Sequence, residues 1–159
     1  VDIWATHLPA LVACVMATKG PVLEVGCGWY STPVLHELCK GRNLVTVESN
    51  REWLDRISPG YGSKEHSFIY SPDYSKALIG LSSDHWGVVF VDNDPEGRRV
   101  WDAERFAHSA DYVLIHDYDS SIIKYGADQL KSLFPFHFVH SRFPHHTLVL
   151  GQKEIPEIP

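Results

Sequence analysis

The chain has 159 residues, 44% of them hydrophobic, including seven Phe, seven Tyr and five Trp; that suits one domain with one sizeable core and excludes a disordered chain. Its formal net charge is −6 with histidines neutral, and its densest basic spot is Arg98-Arg99, so nucleic acid is disfavoured as a partner because neutralising phosphates calls for a basic face. No apolar run nears the roughly 20 residues that span a bilayer, the start carries Asp2 and His7 where a signal peptide has a basic segment, and Cys14, Cys27 and Cys39 form no C-x-x-C pair, which predicts reduced thiols in a cytoplasmic setting.

In chain order, Ile3, Leu8, Leu11, Val12, Val15 and Met16 have helical apolar spacing over 3–18, stopped by Lys19-Gly20-Pro21. Val22 to Val25 is a short strand. Ser31 or Thr32 caps a helix with Pro33 in its first turn, running to about Lys40. Leu44 to Val47 is a β-branched strand, and Asn50 caps a helix through Ile57 that Ser58-Pro59-Gly60 ends. Then come strand 66–70, helix 74–81, strand 87–91, helix 97–108, strand 112–115, helix 122–134, strand 136–140 and strand 147–150. Residues 153–159 alternate Pro and Glu and are expected to be a loose tail. Residues 1–152 are thus one domain, with no internal repeat and no linker.

Alternating strands and helices predict a parallel sheet covered on both faces. The last two strands are joined by a turn too short for a crossover helix, so they must run antiparallel. The expected fold class is α/β, with seven strands and a hairpin at the end.

In such a sheet the ligand lies beyond the carboxyl ends of the strands, where strand order reverses. Gly26-Cys27-Gly28 leaves the first strand at that place, and glycines there let the backbone turn tightly and approach a ligand. Glu48 ends the second strand, where a carboxylate can accept both hydroxyl protons of a ribose.

Glu24-Val25-Gly26-Cys27-Gly28, followed by Glu48 in "VTVES", resembles the first two motifs of class I S-adenosylmethionine-dependent methyltransferases. The resemblance spans nearly the whole chain and implies a three-layer Rossmann-like fold with a seven-stranded, mostly parallel sheet and a C-terminal antiparallel hairpin. It implies S-adenosylmethionine as cofactor. Glu24 would hold the methionyl amino group, Gly26, Cys27 and Gly28 would pass beneath the ligand, and Ser31 or Thr32 would offer a hydroxyl to its carboxylate end. Glu48 and Ser49 would meet the ribose, Asp73 the adenine amino group, and Tyr74 the adenine ring. Read from the residues alone, Asp73 equally well caps the helix that starts at Tyr74.

Asp92 closes the fourth strand, where the family places residues facing cofactor and substrate, and His116-Asp117 closes the fifth. Adjacent strand ends lie about 4.8 Å apart, so Asp92 and Asp117 can converge. By resemblance to cation-dependent small-molecule O-methyltransferases they would hold Mg²⁺, although Asp117-Tyr118 stands where the catechol-type members have Asp-Asn. In a metal-free version His116 or Asp92 acts as general base while positioning does most of the work. His137, His140, His145 and His146 are read as surface or hairpin residues, because neighbours on a strand point to opposite faces. Trp4, His7, Trp29 and Tyr30 are read either as an aromatic lid over a small acceptor or as core packing.

The leading expectation is methyl transfer to an oxygen or nitrogen of a small molecule, with a homodimer that completes each pocket as a further partner reading. Two rivals stand beside it: a nicotinamide-dependent oxidoreductase, and a protein that binds or cleaves S-adenosylmethionine without transferring its methyl group.

Overall fold

Val22–Val25 (β1) and Trp86–Val91 (β4) are buried along their whole length, as are Ala110–Ile115 (β5) and Thr147–Gly151 (β7). Near-continuous apolar runs of this kind belong to strands covered on both faces. In the computed structural model, which describes residues 2–159, they form the centre of a seven-stranded sheet completed by Leu44–Glu48 (β2), His66–Tyr70 (β3) and Phe136–His140 (β6). The order is β3-β2-β1-β4-β5-β7-β6. β1 to β5 pair in parallel, and β7 inserts antiparallel between β5 and β6.

Helices Leu8–Met16 (α1), Ser31–Leu38 (α2) and Arg51–Ile57 (α3) cover one face; Tyr74–Leu81 (α4), Arg99–Glu104 (α5) and Ser121–Lys131 (α6) cover the other. Side chains alternate across the sheet as the strand period requires. Val22, Val88, Phe90 and Leu114 pack with Leu11 and Leu35 under α1 and α2. Leu23, Val25, Val89 and Ile115 pack with Leu78, Ala103 and Leu130 on the opposite side.

Strand order reverses between β1 and β4, whose register pairs Val25 with Val91, while Val25 also pairs with Val47 and Val91 with Ile115. Gly26, Glu48, Asp92 and His116 therefore leave the sheet at one level, around the point where ligands bind in open α/β sheets.

Ser31 and Thr32 lie inside α2 and do not cap it, since Tyr30 holds the N-cap position with no side-chain bond, and three further local expectations need correction. The helix expected over 3–18 divides into a 3-10 turn at Ile3–Ala5 and α1, which carries Pro9 in its first turn. Proline lacks an amide proton and clashes with the preceding turn, so it sits at a helix start and not inside one. The helix expected over 97–108 is a 3-10 turn at Glu96–Arg98 followed by the six-residue α5; beyond it, Phe106, Ala107 and Ser109 donate to carbonyls three residues back, which tightens the chain. Finally, the C-terminal segment is docked: Ile155 and Ile158 pack on the cluster beneath α1, and Tyr112 Oη donates to the Glu154 carbonyl at 2.7 Å. Two isoleucines spaced between prolines supply enough apolar surface to hold it there. Among the described residues no helix is long and apolar enough to cross a membrane.

Candidate functional site

The loop leaving β1 is shaped by Gly26. Its φ is +90°, and a β-carbon there would stand 2.7 Å from the Asp92 carbonyl oxygen and 2.8 Å from Asn93 Cα. Only glycine combines that torsion with so close an approach to a neighbouring backbone. Glu24, two residues earlier, faces α2 and is fully buried. Thr46 Oγ1 donates to it at 2.7 Å, and Thr32 Oγ1 stands 3.0 Å from each of its carboxylate oxygens. Burial pushes Glu24 up to about 7, against the hydroxyls of Ser31, Thr46 and Thr32, which favour the anion. Thr32 Oγ1 also accepts the Gly28 amide at 2.9 Å. Glu24 is thus tied to the glycine loop through one hydroxyl.

Glu48 gathers donors from three segments. Its Oε1 accepts the amides of Ser49 and Asn50, each at 2.7 Å, and the hydroxyl of Tyr74 at 3.2 Å; its Oε2 accepts the Cys27 amide at 3.1 Å. Burial first, and the Glu48 charge second, push the Cys27 thiol and the Tyr74 phenol upward, so both stay neutral. Glu48 lines a cavity of about 240 Å³ with Cys27, Ser49, Asn50, Trp53 and the 92–94 turn.

A second cavity of about 480 Å³ adjoins it, sharing Cys27, Trp53 and Asp92. Trp4, Trp29, Tyr30 and Trp53 make its aromatic wall, and Gly28 and Ser31 its border on the glycine loop. At its far end stand His7, Asp92, Arg99, His116 and Asp117. Trp53 Nε1 donates to the Cys27 carbonyl at 2.7 Å, and Trp29 meets Trp53 edge to face, with ring centroids 5.7 Å apart.

The polar end is organised by Arg99. Its Nη1 lies 3.0 Å from Asp92 Oδ1 and 2.7 Å from Asp117 Oδ2, and it also donates to the His116 carbonyl. Asp117 has φ +58°, a left-handed conformation that aspartate tolerates better than most residues, and its Oδ1 lies 2.7 Å from His145 Nδ1. Although burial opposes the charge, His116, Arg99 and His145 together hold the Asp117 carboxyl below its ordinary range. His116 Nδ1 lies 3.3 Å from Asp92 Oδ1, and its Nε2 lies 3.1 Å from Thr6 Oγ1. Burial disfavours the imidazolium, but the hydrogen bond to Asp92 and the charges of Asp92 and Asp117 outweigh it, so His116 is shifted upward. His7 is driven the other way, down to about 4, by burial and then by His116.

Of the residues named from sequence for the cofactor, Cys27, Gly28, Ser31, Glu48, Ser49 and Asp92 line the two cavities. Five do not. Glu24 and Thr32 are buried behind the loop and engage each other. Gly26 packs on the 92–93 backbone. Asp73 caps α4 by accepting the Ser75 amide at 3.0 Å, and Tyr74 is buried with its hydroxyl on Glu48. Asp92 and Asp117 do converge, but on Arg99. A guanidinium bridging both carboxylates occupies the place that Mg²⁺ would need, so this pair does not fit a magnesium site.

Trp4, His7, Trp29 and Tyr30 all face the larger cavity, His7 from a buried position. Sequence reasoning passed over Arg99 and Thr6 and set His145 aside as a hairpin residue. Nothing local distinguishes Arg99 from Arg98, which pairs with Asp102 instead. His145 escapes the strand-alternation argument because it precedes β7, at φ +58°.

No protein-family model and no curated protein matches the sequence. Solved structures match in fold. Human methyltransferase-like protein 13 in complex with SAH aligns with a TM-score of 0.68 at 16% identity, over 93% of this chain and 79% of that one. The N-methyltransferase NodS from Bradyrhizobium japonicum aligns at 0.62 and 11% identity, over 91% of each chain. A spermidine synthase in complex with a transition-state analogue aligns at 0.65 and 13% identity over 96% of this chain, which spans 60% of that protein's length. The chain has the Rossmann-like fold of class I S-adenosylmethionine-dependent methyltransferases.

Proposed function

We propose that this chain binds S-adenosylmethionine across the two adjoining cavities and transfers its methyl group to an oxygen or nitrogen of a small acceptor. The observation that carries the reading is their continuity: Cys27, Trp53 and Asp92 border both, so one cleft runs from Glu48 to His116 across the carboxyl ends of β2, β1, β4 and β5. A long ligand with a sugar near one end and a reactive centre near Asp92 suits that shape.

In this reading Glu48, already held by three amides and a phenol, accepts a ribose hydroxyl through Oε2, the oxygen with fewer donors, without having to reorganise. Gly28 and Ser31 border the amino-acid end of the ligand. S-adenosylmethionine supplies an activated methyl group, so the protein has only to align the acceptor and receive its proton. In the metal-free version Asp92 and His116, 3.3 Å apart at the polar end, receive that proton. Arg99 keeps Asp92 and Asp117 in place, and Trp4, Trp29 and Tyr30 form an apolar wall suited to a flat or apolar acceptor.

Calorimetric titration with S-adenosylhomocysteine and with a nicotinamide dinucleotide tests the cofactor. Binding of the first alone is expected, and binding of the second alone overturns the reading. Incubation with methyl-labelled S-adenosylmethionine and a panel of phenols and amines tests the reaction. Label is expected in an acceptor; cofactor fragments without labelled acceptor would instead favour cleavage.

A further inference from the structure

We propose that His7, Asp92 and His116 bind a divalent first-row transition-metal ion at the polar end of the larger cavity. One ligand atom from each lies within 4.8 Å of the others, and all three residues line that cavity. They come from three separate places: the turn before α1 and the ends of β4 and β5.

The first argument is His7. It is 2% exposed, and both of its ring nitrogens are buried without a hydrogen-bond partner. Phe90 and His116 pack on its ring, with centroids at 4.8 Å and 4.7 Å. A buried polar group left unmatched is destabilising, because it has given up water without gaining a partner. An imidazole facing a second imidazole and a carboxylate is matched when one nitrogen ligates a cation.

The second argument is the tautomer of His116. The Thr6 hydroxyl has two carbonyls within reach for its proton, His145 at 3.0 Å and Ile3 at 3.2 Å. With the proton directed there, His116 Nε2 donates to Thr6 Oγ1, and Nδ1 keeps its lone pair. That nitrogen faces the Asp92 carboxylate, whose Oδ1 lies 3.3 Å away, so a proton or a metal ion must join the two groups. A proton joins two such groups; a third lone-pair donor, His7, selects a metal ion. Fixing one ring nitrogen through the hydrogen bond of the other is also how proteins orient metal-ligating histidines.

The donor set names the class of ion. Two imidazoles and one carboxylate suit Mn²⁺ through Zn²⁺ better than Mg²⁺ or Ca²⁺, which prefer oxygen. The site also avoids the obstacle at the Asp92–Asp117 pair. Arg99 and His116 both approach Asp92 through Oδ1, so its Oδ2 remains, and Asp117 balances the Arg99 charge.

The test is titration of the metal-stripped chain with Co²⁺ and with Zn²⁺, followed by calorimetry and, for Co²⁺, visible absorption. One equivalent per chain is expected, together with a rise in melting temperature, because the ion ties the segment before α1 to the sheet. His7→Phe, which suits the apolar neighbour Phe90, should weaken Co²⁺ binding by at least the roughly 10–100-fold that losing an outer-shell partner costs. His116→Gln should do the same, which keeps the test decisive if one variant fails to fold. His36→Ala, on α2 and outside the cavity, should bind Co²⁺ as the parent does. No stoichiometric uptake by the folded parent, or unchanged affinity in both site variants, overturns the proposal. S-adenosylhomocysteine titrated into the same metal-free samples separates failure of this site from failure of the methyltransferase reading.

Discussion

Thr32 Oγ1 stands 3.0 Å from both carboxylate oxygens of Glu24 and accepts the Gly28 amide at 2.9 Å. The acid of the first motif therefore acts on the glycine loop from behind, and Thr32 carries that influence to the cavity wall.

Glu24 makes stability depend on pH. Its carboxyl titrates near 7 in the folded chain, above its ordinary 4.5. The folded state thus holds a proton that the unfolded state releases between those values. Its contribution is intact below 4.5 and is lost as pH rises through 7, on the order of 3 kcal/mol in all. Urea unfolding of the parent and Glu24→Gln at pH 4.5, 6 and 8 should show the parent losing ground to the variant as pH rises. A constant difference between them would contradict the assignment.

Gly26→Ala places a β-carbon against the Asp92 and Asn93 backbone at a positive φ. Torsional strain and overpacking together predict a loss of roughly 2–4 kcal/mol. Gly28→Ala meets only the Ser31 hydroxyl, at 3.2 Å, and should lose less than about 1 kcal/mol. Urea midpoints of the two variants, measured side by side, decide it.

Glu48→Gln keeps the shape of the side chain but removes the charge proposed to accept a sugar hydroxyl. A charge-assisted hydrogen bond is worth about 1.5–3 kcal/mol, so affinity for S-adenosylhomocysteine should fall by roughly 10–100-fold. Adenosine should lose a similar factor and methionine none, which calorimetry with the three ligands would reveal.

Removing Arg99 leaves Asp92 and Asp117 facing each other at the half-buried end of the cavity. Arg99→Met should cost about 3–5 kcal/mol, the usual result of breaking one partner from a buried ion pair. Adding Asp117→Asn should recover part of that loss. A thermal-unfolding double-mutant cycle showing strict additivity would mean that Arg99 does not compensate these carboxylates.

Trp29 is 57% exposed and touches Trp53 edge to face. Trp29→Ala should leave stability within about 1 kcal/mol of the parent while lowering affinity for the acceptor or the cofactor. Equal ligand affinities in the two proteins would remove Trp29 from the cleft wall.

The succession of strands and helices and the carboxyl-edge acids were legible because they rest on local chemistry. The apolar run of β1 announces a strand buried on both faces, glycines mark its sharp exit, and Asn50 and Asp73 cap the helices they precede through their own side chains. Asp73 also shows the limit of such reasoning, since the same residue type serves a cap or a ligand and only its surroundings decide. Glu24 behaves likewise: its place in the motif was plain, while its burial behind Thr32 depended on how α2 docks.

By itself, then, the amino-acid order determined the layered architecture, the antiparallel end of the sheet, and the level at which Gly26, Glu48, Asp92 and His116 emerge, because period, turn chemistry and strand pairing act over short stretches of chain. Only tertiary structure decided that Thr6 and His145 would brace His116 and Asp117, that Arg99 would fill the gap between two carboxylates, and that His7 would be buried beside them. Thr6 bonds to partners 110 and 139 positions away. Contacts of that kind leave no periodic trace, since they arise where independently placed elements come to rest against one another.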